Sequence, residues 1–295
     1  MNVVVTEQLT KRYGQRIGVE GLDLQVPEGA LYGFLGPNGS GKTTTIRVLL
    51  GLLRPSNGSA VVFGLNCWKD SHRIKADLGY VPGDLRLYPG LTTHDALRWS
   101  EQVRGRDLTL AGNELVDDFG LDPEVKVRNM SRGMKQKLGL ILALVHRPRL
   151  LVLDEPTTGL DPLMQDRLCR RLRRLAAEGH TIFFSSHTLG EVENLCDRVA
   201  IMRQGRLVAD ESLDSLRARA SRRVVIRWGE DQVNGAEAPP FLDVQERRMN
   251  EWHGRLTGSA MDLVRWSAGK SIEDISIGQP NLEEMFQQFY RSDSE

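Results

Sequence analysis

One stretch constrains the rest of this chain. Gly36-Pro37-Asn38-Gly39-Ser40-Gly41-Lys42-Thr43 fits the pattern G-x-x-x-x-G-K-[ST]. Glycines are required where a backbone wraps closely around phosphate with its N–H groups turned inward. Before the loop, Ala30 to Leu35 is a dense apolar run that reads as a strand buried on both faces. After it, Thr43 to Leu53 reads as a helix ending near Arg54-Pro55, whose N-terminus and dipole would face the anion. A plain glycine-rich turn before a helix is the bland alternative, and this strand–loop–helix context favours the phosphate reading. Lys42 then reaches β- and γ-phosphates, and the Thr43 hydroxyl takes a place on Mg²⁺.

Two further features give the loop chemistry to work with. Leu150-Leu151-Val152-Leu153 is an apolar strand that ends in Asp154-Glu155. Ligands of open α/β sheets lie at the C-terminal ends of the strands, so these carboxylates can face the phosphates. Asp154 suits the Mg²⁺ shell, and Glu155 suits orientation and deprotonation of an attacking water. His187 follows a second buried strand, Thr181 to Phe184, and the small residues Ser185-Ser186. A histidine there can hydrogen-bond the γ-phosphate or the water. Alone, either feature reads as loop or packing; together with the loop they read as a hydrolytic site.

Composition removes several other classes. The 39 basic and 39 acidic residues cancel, so no global field draws in nucleic acid, and no nucleic-acid partner is expected. The run Arg170, Arg171, Arg173 and Arg174 reads as a solvated helix face. Cys67, Cys169 and Cys196 are few, odd in number and widely spaced, which suggests a reducing compartment, buried apolar roles and no metal site. The N-terminus lacks the pattern of a signal peptide, and the longest apolar run, Leu138 to Val145, is short of a membrane span. A cytoplasmic chain is expected.

Along the chain, Val3, Val5 and Leu9, then Leu22, Leu24 and Val26, alternate like half-buried strands, with Pro27-Glu28-Gly29 as a turn. Asn57-Gly58 reads as a turn before the strand Ala60 to Phe63. From about Leu85 to Val145 the pattern is helical, with a possible capping box at Thr92 and Asp95. A helix over Leu163 to Ala177 keeps the α/β rhythm, and the regular core ends near Val208. Ser212 to Arg219 reads as a helical connector, Val224 to Trp228 opens a new unit, and Gly229 to Pro240 reads as a loop. Asn281-x-x-Glu284 before Met285, Phe286 and Phe289 reads as the start of a last helix. No repeat or low-complexity segment is visible.

The ordered set of motifs resembles the ATP-binding subunit of the ATP-binding cassette (ABC) family over roughly residues 3 to 210. Asp154-Glu155-Pro156-Thr157-Thr158-Gly159-Leu160-Asp161-Pro162 is similar to its Walker B segment running into the D-loop, where Asp161 stands. Met130-Ser131-Arg132-Gly133-Met134-Lys135-Gln136-Lys137 resembles its signature motif, and Tyr13 stands where the family carries an aromatic residue that stacks on adenine. The resemblance implies an α/β P-loop NTPase cassette with a RecA-like core, an antiparallel β subdomain and a helical subdomain at about 85–145, followed by a small C-terminal α/β domain. It divides the chain into 1–211, a connector 212–223 and an accessory domain 224–295.

It also implies ATP and Mg²⁺ as ligands. The loop from Gly36 to Thr43 with Thr44 would bind ATP, Thr43 and Asp154 would bind Mg²⁺, and Glu155, His187 and Lys42 would be catalytic. Two cassettes would face head to tail as a homodimer, with Ser131, Arg132, Gly133 and Met134 completing the partner's site. A separately encoded membrane subunit would hold the dimer at the inner face of the cell membrane. Pro280-Asn281-Leu282-Glu283-Glu284-Met285-Phe286 is similar to the closing segment of export-type members such as daunorubicin-resistance-like ATPases. An importer ATPase and a soluble regulatory member are the alternatives. Three positions depart from the family pattern: Arg132 replaces a glycine, Met134 a glutamine, and Gly83 in Leu78-Gly79-Tyr80-Val81-Pro82-Gly83 another glutamine. The last normally touches both Mg²⁺ and the transporter-facing surface, and Asp84 is its candidate substitute.

Overall fold

Among the described residues three sheets organise the chain, two in a first unit and one in a second. A computed structural model describes residues 1–229, 237–283 and 285–286. Its contacts divide the chain at Met1–Asp210 and Glu211–Glu295.

The first unit opens with long strands β1 (Asn2–Tyr13) and β2 (Arg16–Pro27), which pair antiparallel. With β4 (Asn57–Val62) and β5 (Leu65–Asn66) they form a sheet in the order β2-β1-β4-β5. Val3 and Val4 are both buried, and Thr6 is buried with its hydroxyl donating to Leu22 O. The simple alternation expected at Val3 and Val5 is therefore broken, because the register shifts between Asn2 and Val4. Asn57-Gly58 opens β4 rather than preceding it: Asn57 pairs with Thr10, and Gly58 sits at φ +73° against Gln8 O. A Cβ at Gly58 would lie 2.2 Å from that oxygen, so the irregularity in the ladder needs glycine here.

The core sheet is built from β3 (Leu31–Leu35), β6 (Leu78–Val81), β7 (Leu150–Asp154), β8 (Thr181–Ser186), β9 (Arg198–Arg203) and β10 (Arg206–Ser212), in the order β10-β9-β3-β8-β7-β6. The pairs β3–β8, β3–β9, β6–β7 and β7–β8 are parallel. Every residue of β3, β7 and β8 is buried, as expected of strands covered on both faces. β10 continues beyond Val208, where the sequence placed the end of the regular core.

Helix α1 (Lys42–Leu49) follows the glycine-rich loop and is shorter than the sequence suggested. It stops because Gly51 turns to φ +63°, where a Cβ would lie 2.4 Å from Cys67 O. A short helix α2 (Ser71–Ala76), unmarked in the sequence reading, precedes β6. The helical stretch contains α3 (Thr93–Arg104), α4 (Thr109–Phe119) and α5 (Arg132–Leu144). The capping box at Thr92 and Asp95 is formed in both directions. Helix α6 (Pro162–Ala177) leads into β8, and α7 (Leu189–Leu195) follows it.

The arginine run on α6 is not simply a solvated face. Arg171 Nη1 donates to Asp118 Oδ2 at 3.1 Å, Arg173 donates to Asn194 O, and Arg167, one turn earlier, donates to Asp118 O. Long cationic side chains placed beside helix C-termini find carbonyls there, so these arginines tie α6 to α4 and α7. Cys67 and Cys196 are buried, whereas Cys169 is half-buried.

The second unit contains α8 (Leu213–Arg219), β11 (Arg222–Trp228), β12 (Leu242–Arg248), β13 (Glu251–Leu256), α9 (Ala260–Ser267) and β14 (Ile272–Pro280). Its antiparallel sheet runs β12-β13-β11-β14. Val224, Ile226, Trp228, Trp252, Leu256 and Leu263 form a separate core, with Trp228 and Trp252 rings 4.8 Å apart. Leu282, Glu283, Met285 and Phe286 take helical backbone, and Leu282 and Phe286 are buried. Glu284 and Phe289 of the expected last helix, and residues 230–236 of the expected loop, lie outside the described residues.

Candidate active site

The glycine-rich loop joins β3 to α1, as its sequence context requires. Gly41 at φ +108° is the N-cap of α1 and supplies no side-chain acceptor, so the first amides of the helix are left for a ligand. A Cβ there would lie 2.7 Å from Gly18 O, so position 41 excludes any other residue. Gly36 is equally confined: a Cβ would lie 2.4 Å from Met202 O. Ser40 Oγ is buried without a hydrogen-bond partner, a polar atom left for a ligand group.

Lys42 curls back onto its own loop. Its Nζ donates to Gly36 O at 2.5 Å and Pro37 O at 3.3 Å, and stands 3.8 Å from Glu155 Oε1. Burial lowers its pKa, and the nearby Glu155 and Asp154 carboxylates oppose that shift. A buried ammonium held by two carbonyls and a carboxylate is stored in place for an anion.

The carboxylates of Asp154 and Glu155 divide their work at the end of β7. Thr43 Oγ1 donates to Asp154 Oδ2 at 2.9 Å, and Ser185 Oγ donates to Asp154 Oδ1 at 2.6 Å. Asp154 is 2% exposed, with both oxygens fixed by hydroxyls on neighbouring elements. Glu155 takes φ +51°, an uncommon backbone state for a residue with a Cβ. Its N–H donates to Ser185 O at 3.1 Å. Glu155 Oε1 meets His187 Nδ1 at 3.2 Å. The structure therefore brings Lys42, Thr43, Asp154, Glu155 and His187 into one cluster.

Beside this cluster lies a cleft of about 380 Å³, lined by Tyr13, Asn38, Lys42, Thr43, Thr44 and Glu155 among others. Arg16, Gly18 and Arg47 also line it and were not signalled by the sequence. Tyr13 is 44% exposed, with Lys11 Nζ 5.5 Å from its ring centroid. A second cleft of about 620 Å³ opens on the other side of Asp154, lined by Arg47, Tyr80, Gly83, Asp84 and Arg86. Asp84 accepts from Arg86 Nη2 at 3.0 Å, and both are exposed.

Ser131, Arg132, Gly133 and Met134 are not in this cluster within the chain. They form the start of α5, with Ser131 and Arg132 exposed and Gly133 and Met134 half-buried, and Ser131 Oγ caps the helix by accepting from Met134 N at 3.2 Å. Gly133 lies under the turn that carries Gly159: a Cβ on it would lie 2.7 Å from Gly159 O. Asp161 caps α6, its Oδ1 accepting from Met164 N at 2.9 Å. Gln136 Nε2 donates to Pro156 O at 2.9 Å, joining α5 to the same turn.

Sequence reasoning missed Ser185 as a partner of Asp154. Ser185 faces Asp154 only because β7 and β8 pair in parallel with Asp154 opposite Ser185, and register between distant strands has no local signal.

Residues 19–158 match the ABC transporter model. The chain is 42% identical to the bacitracin transport ATP-binding protein BcrA of Bacillus licheniformis, over 74% of this chain and 72% of that protein. It is 33% identical to the linearmycin resistance ATP-binding protein LnrL of Bacillus subtilis, over 95% and 96%. Among solved structures it resembles an ATP-binding subunit of an ABC transporter, with TM-score 0.68 and 29% identity over 73% of this chain and 92% of that one. It shares its fold with the cassette MJ0796 bound to ADP and Pi, at TM-score 0.66 and 21% identity, over 71% of this chain and 98% of that one.

Proposed function

Because this chain belongs to the ABC transporter family of ATP-binding, ATP-hydrolysing subunits, we propose that its ATPase cycle powers export of a hydrophobic cargo, such as a drug or lipid, through a separate membrane subunit. The observation that carries the chemistry is the convergence of Lys42, Thr43, Asp154, Glu155 and His187 at one end of the core sheet. Export is supported by likeness to resistance proteins along nearly the whole chain. Besides LnrL, the daunorubicin resistance ATP-binding protein DrrA2 of Streptomyces coeruleorubidus is 31% identical over 96% of this chain and 93% of that protein.

The geometry supports a role for each residue. Lys42 exchanges its loop carbonyls for β- and γ-phosphate oxygens, which return the charge balance that burial opposes. Amides of Gly39, Gly41, Lys42, Thr43 and Thr44, with the unpartnered Ser40 hydroxyl, cradle the phosphates, and Tyr13 covers the adenine. Thr43 and Asp154 offer hard oxygen donors 2.9 Å apart, and that set fits Mg²⁺. When bound there, Mg²⁺ supplies charge neutralisation on the phosphates. Glu155 accepts the proton of the attacking water, and His187 holds the Glu155 carboxylate and the terminal phosphate in register.

Ser131, Arg132, Gly133 and Met134 stand at a helix start at which Ser131 and Arg132 are exposed, which suits a phosphate bound by a second copy of the chain. A homodimer then contains two shared sites, with Asp161 at the junction. We assign ATP binding to 1–211 and an accessory role to 224–295. Among the described residues no helix is long and apolar enough to cross a membrane, so the proposed place at the inner membrane face depends on the partner. Docking is assigned to the surface from Gly83 to Thr93. Tyr88 is 68% exposed there and packs edge-on against Trp99 at 5.4 Å, leaving aromatic surface uncovered.

Glu155→Gln tests the hydrolytic reading. The variant binds ATP, turns it over at least about 100-fold more slowly, and dimerises more stably in ATP. Parental turnover would remove Glu155 from the role of base. Charge reversal at Asp84 and Arg86 tests docking; unchanged assembly and transport would move the contact elsewhere.

A further inference from the structure

Glu191 has no role in the hydrolytic scheme above, yet its carboxylate bridges two of the segments that supply it. Its Oε1 accepts from Thr157 Oγ1 at 2.7 Å, and its Oε2 accepts from Ser186 Oγ at 2.5 Å. Thr157 is 4% exposed and Ser186 1% exposed, so both hydroxyls are shut off from water. Thr157 belongs to the turn that runs from Glu155 to Asp161, and its carbonyl accepts from Leu160 N at 3.0 Å. Ser186 immediately precedes His187, and its carbonyl accepts from Gly36 N of the phosphate loop at 3.3 Å.

Capping of α7 does not explain this side chain. An acidic residue in the first helical turn satisfies a capping box when it reaches back to the N-cap amide. That amide, Thr188 N, instead donates to Ser186 Oγ at 2.8 Å, and Thr188 provides no side-chain cap. Glu191 therefore directs both oxygens outside its own helix. Two short hydrogen bonds from buried hydroxyls share one carboxylate.

We propose that Glu191 is a positioning residue for ATP hydrolysis, locking the strand end that carries His187 to the turn that carries Glu155 and Asp161. The His187–Glu155 contact of 3.2 Å is made between these two segments. With the bridge intact, a displacement of the Asp161 turn moves His187 with it. Without the bridge the two groups drift separately, and reacting groups misplaced by about 1 Å lose rate by as much as about 100-fold. This inference rests on the roles proposed for Glu155 and His187.

The test uses the full chain with Thr157→Val, Thr157→Ser, Glu191→Gln and the Thr157→Val/Glu191→Gln pair. ATP affinity, kcat, KM and the melting temperature are measured for each. Thr157→Val is isosteric and removes only the hydroxyl. The expected result is a fall in kcat of about 10- to 100-fold for Thr157→Val, with KM and ATP affinity within about threefold of the parent. Thr157→Ser restores kcat, and the double variant is no slower than the slower single one, because both act through one bridge. Parental kcat in Thr157→Val, losses that multiply in the double variant, or failure of Thr157→Ser to rescue overturns the proposal. Glu155→Gln, measured alongside, separates the two readings: if it turns over like the parent, the site assignment fails whatever the bridge variants do.

Discussion

At the scale of single residues, the site depends on a few side chains held in uncommon states. Glu155 takes φ +51°, and its carboxylate stands 3.8 Å from Lys42 Nζ and 3.2 Å from His187 Nδ1. Gly83 is different, because it is not among the glycines at positive φ. A Cβ added there would meet Asp154 O at 3.4 Å, an ordinary contact, and a longer side chain has the neighbouring cleft of about 620 Å³ to enter. Gly83→Gln is therefore expected to fold with a melting temperature within about 2 °C of the parent, a neutral surface-type change. A large drop in a thermal melt would show that position 83 requires glycine. His146 makes a second residue-scale prediction. It is 6% exposed, with Nε2 3.2 Å from Leu78 O, and burial first, then Arg104, holds its pKa down at about 4. The unfolded histidine takes up a proton below about pH 6.5, whereas the folded one does not until about pH 4. Stability is thus full above pH 6.5 and falls as pH drops towards 4, by up to about 3 kcal/mol. Denaturant melts at pH 7 and pH 5 check this, and His146→Gln should flatten the difference.

At the scale of elements, helix starts do the functional placing. Ser131 and Asp161 each cap a helix that begins beside the turn from Pro156 to Asp161. An N-cap needs only a short polar residue before a helix, but in the sequence Asp161 reads as part of the D-loop alone. The contact between these starts was not legible. Gly133 is a glycine because Gly159 O would lie 2.7 Å from its Cβ, and only the packing of α5 on the turn shows it. A backbone carbonyl cannot step aside as a flexible side chain can. Gly133→Ala is expected to destabilise by about 1–3 kcal/mol, despite the better helix propensity of alanine. Unchanged stability in urea melts would place the two segments farther apart than they stand here. Helix α1 shows the same limit from the other direction: its apolar pattern continues to Leu53, but Gly51 meets Cys67 O and Ser71 and stops it.

At the scale of the whole chain, two units carry separate cores. The second has its own tryptophan cluster, and Trp252 is 1% exposed with Arg247 stacked 4.5 Å from its ring centroid. Trp252→Ala is expected to cost about 3–5 kcal/mol in that unit. Calorimetry of the full chain should show one transition displaced downward and ATP binding retained; loss of ATP binding would mean that the two units do not unfold independently.

The sequence by itself determined the phosphate loop, the paired carboxylates, the buried strands that lead into them, and the capping box at Thr92 and Asp95. These are short-range features, because turn conformation, capping and apolar period are set within a few residues. Only the tertiary structure decided that Ser185 faces Asp154, that Glu191 spans Thr157 and Ser186, and that the α6 arginines hold α4 and α7. Those contacts join residues that lie far apart in the chain or on different elements. Strand register and helix packing set them, and neither leaves a local mark in the sequence.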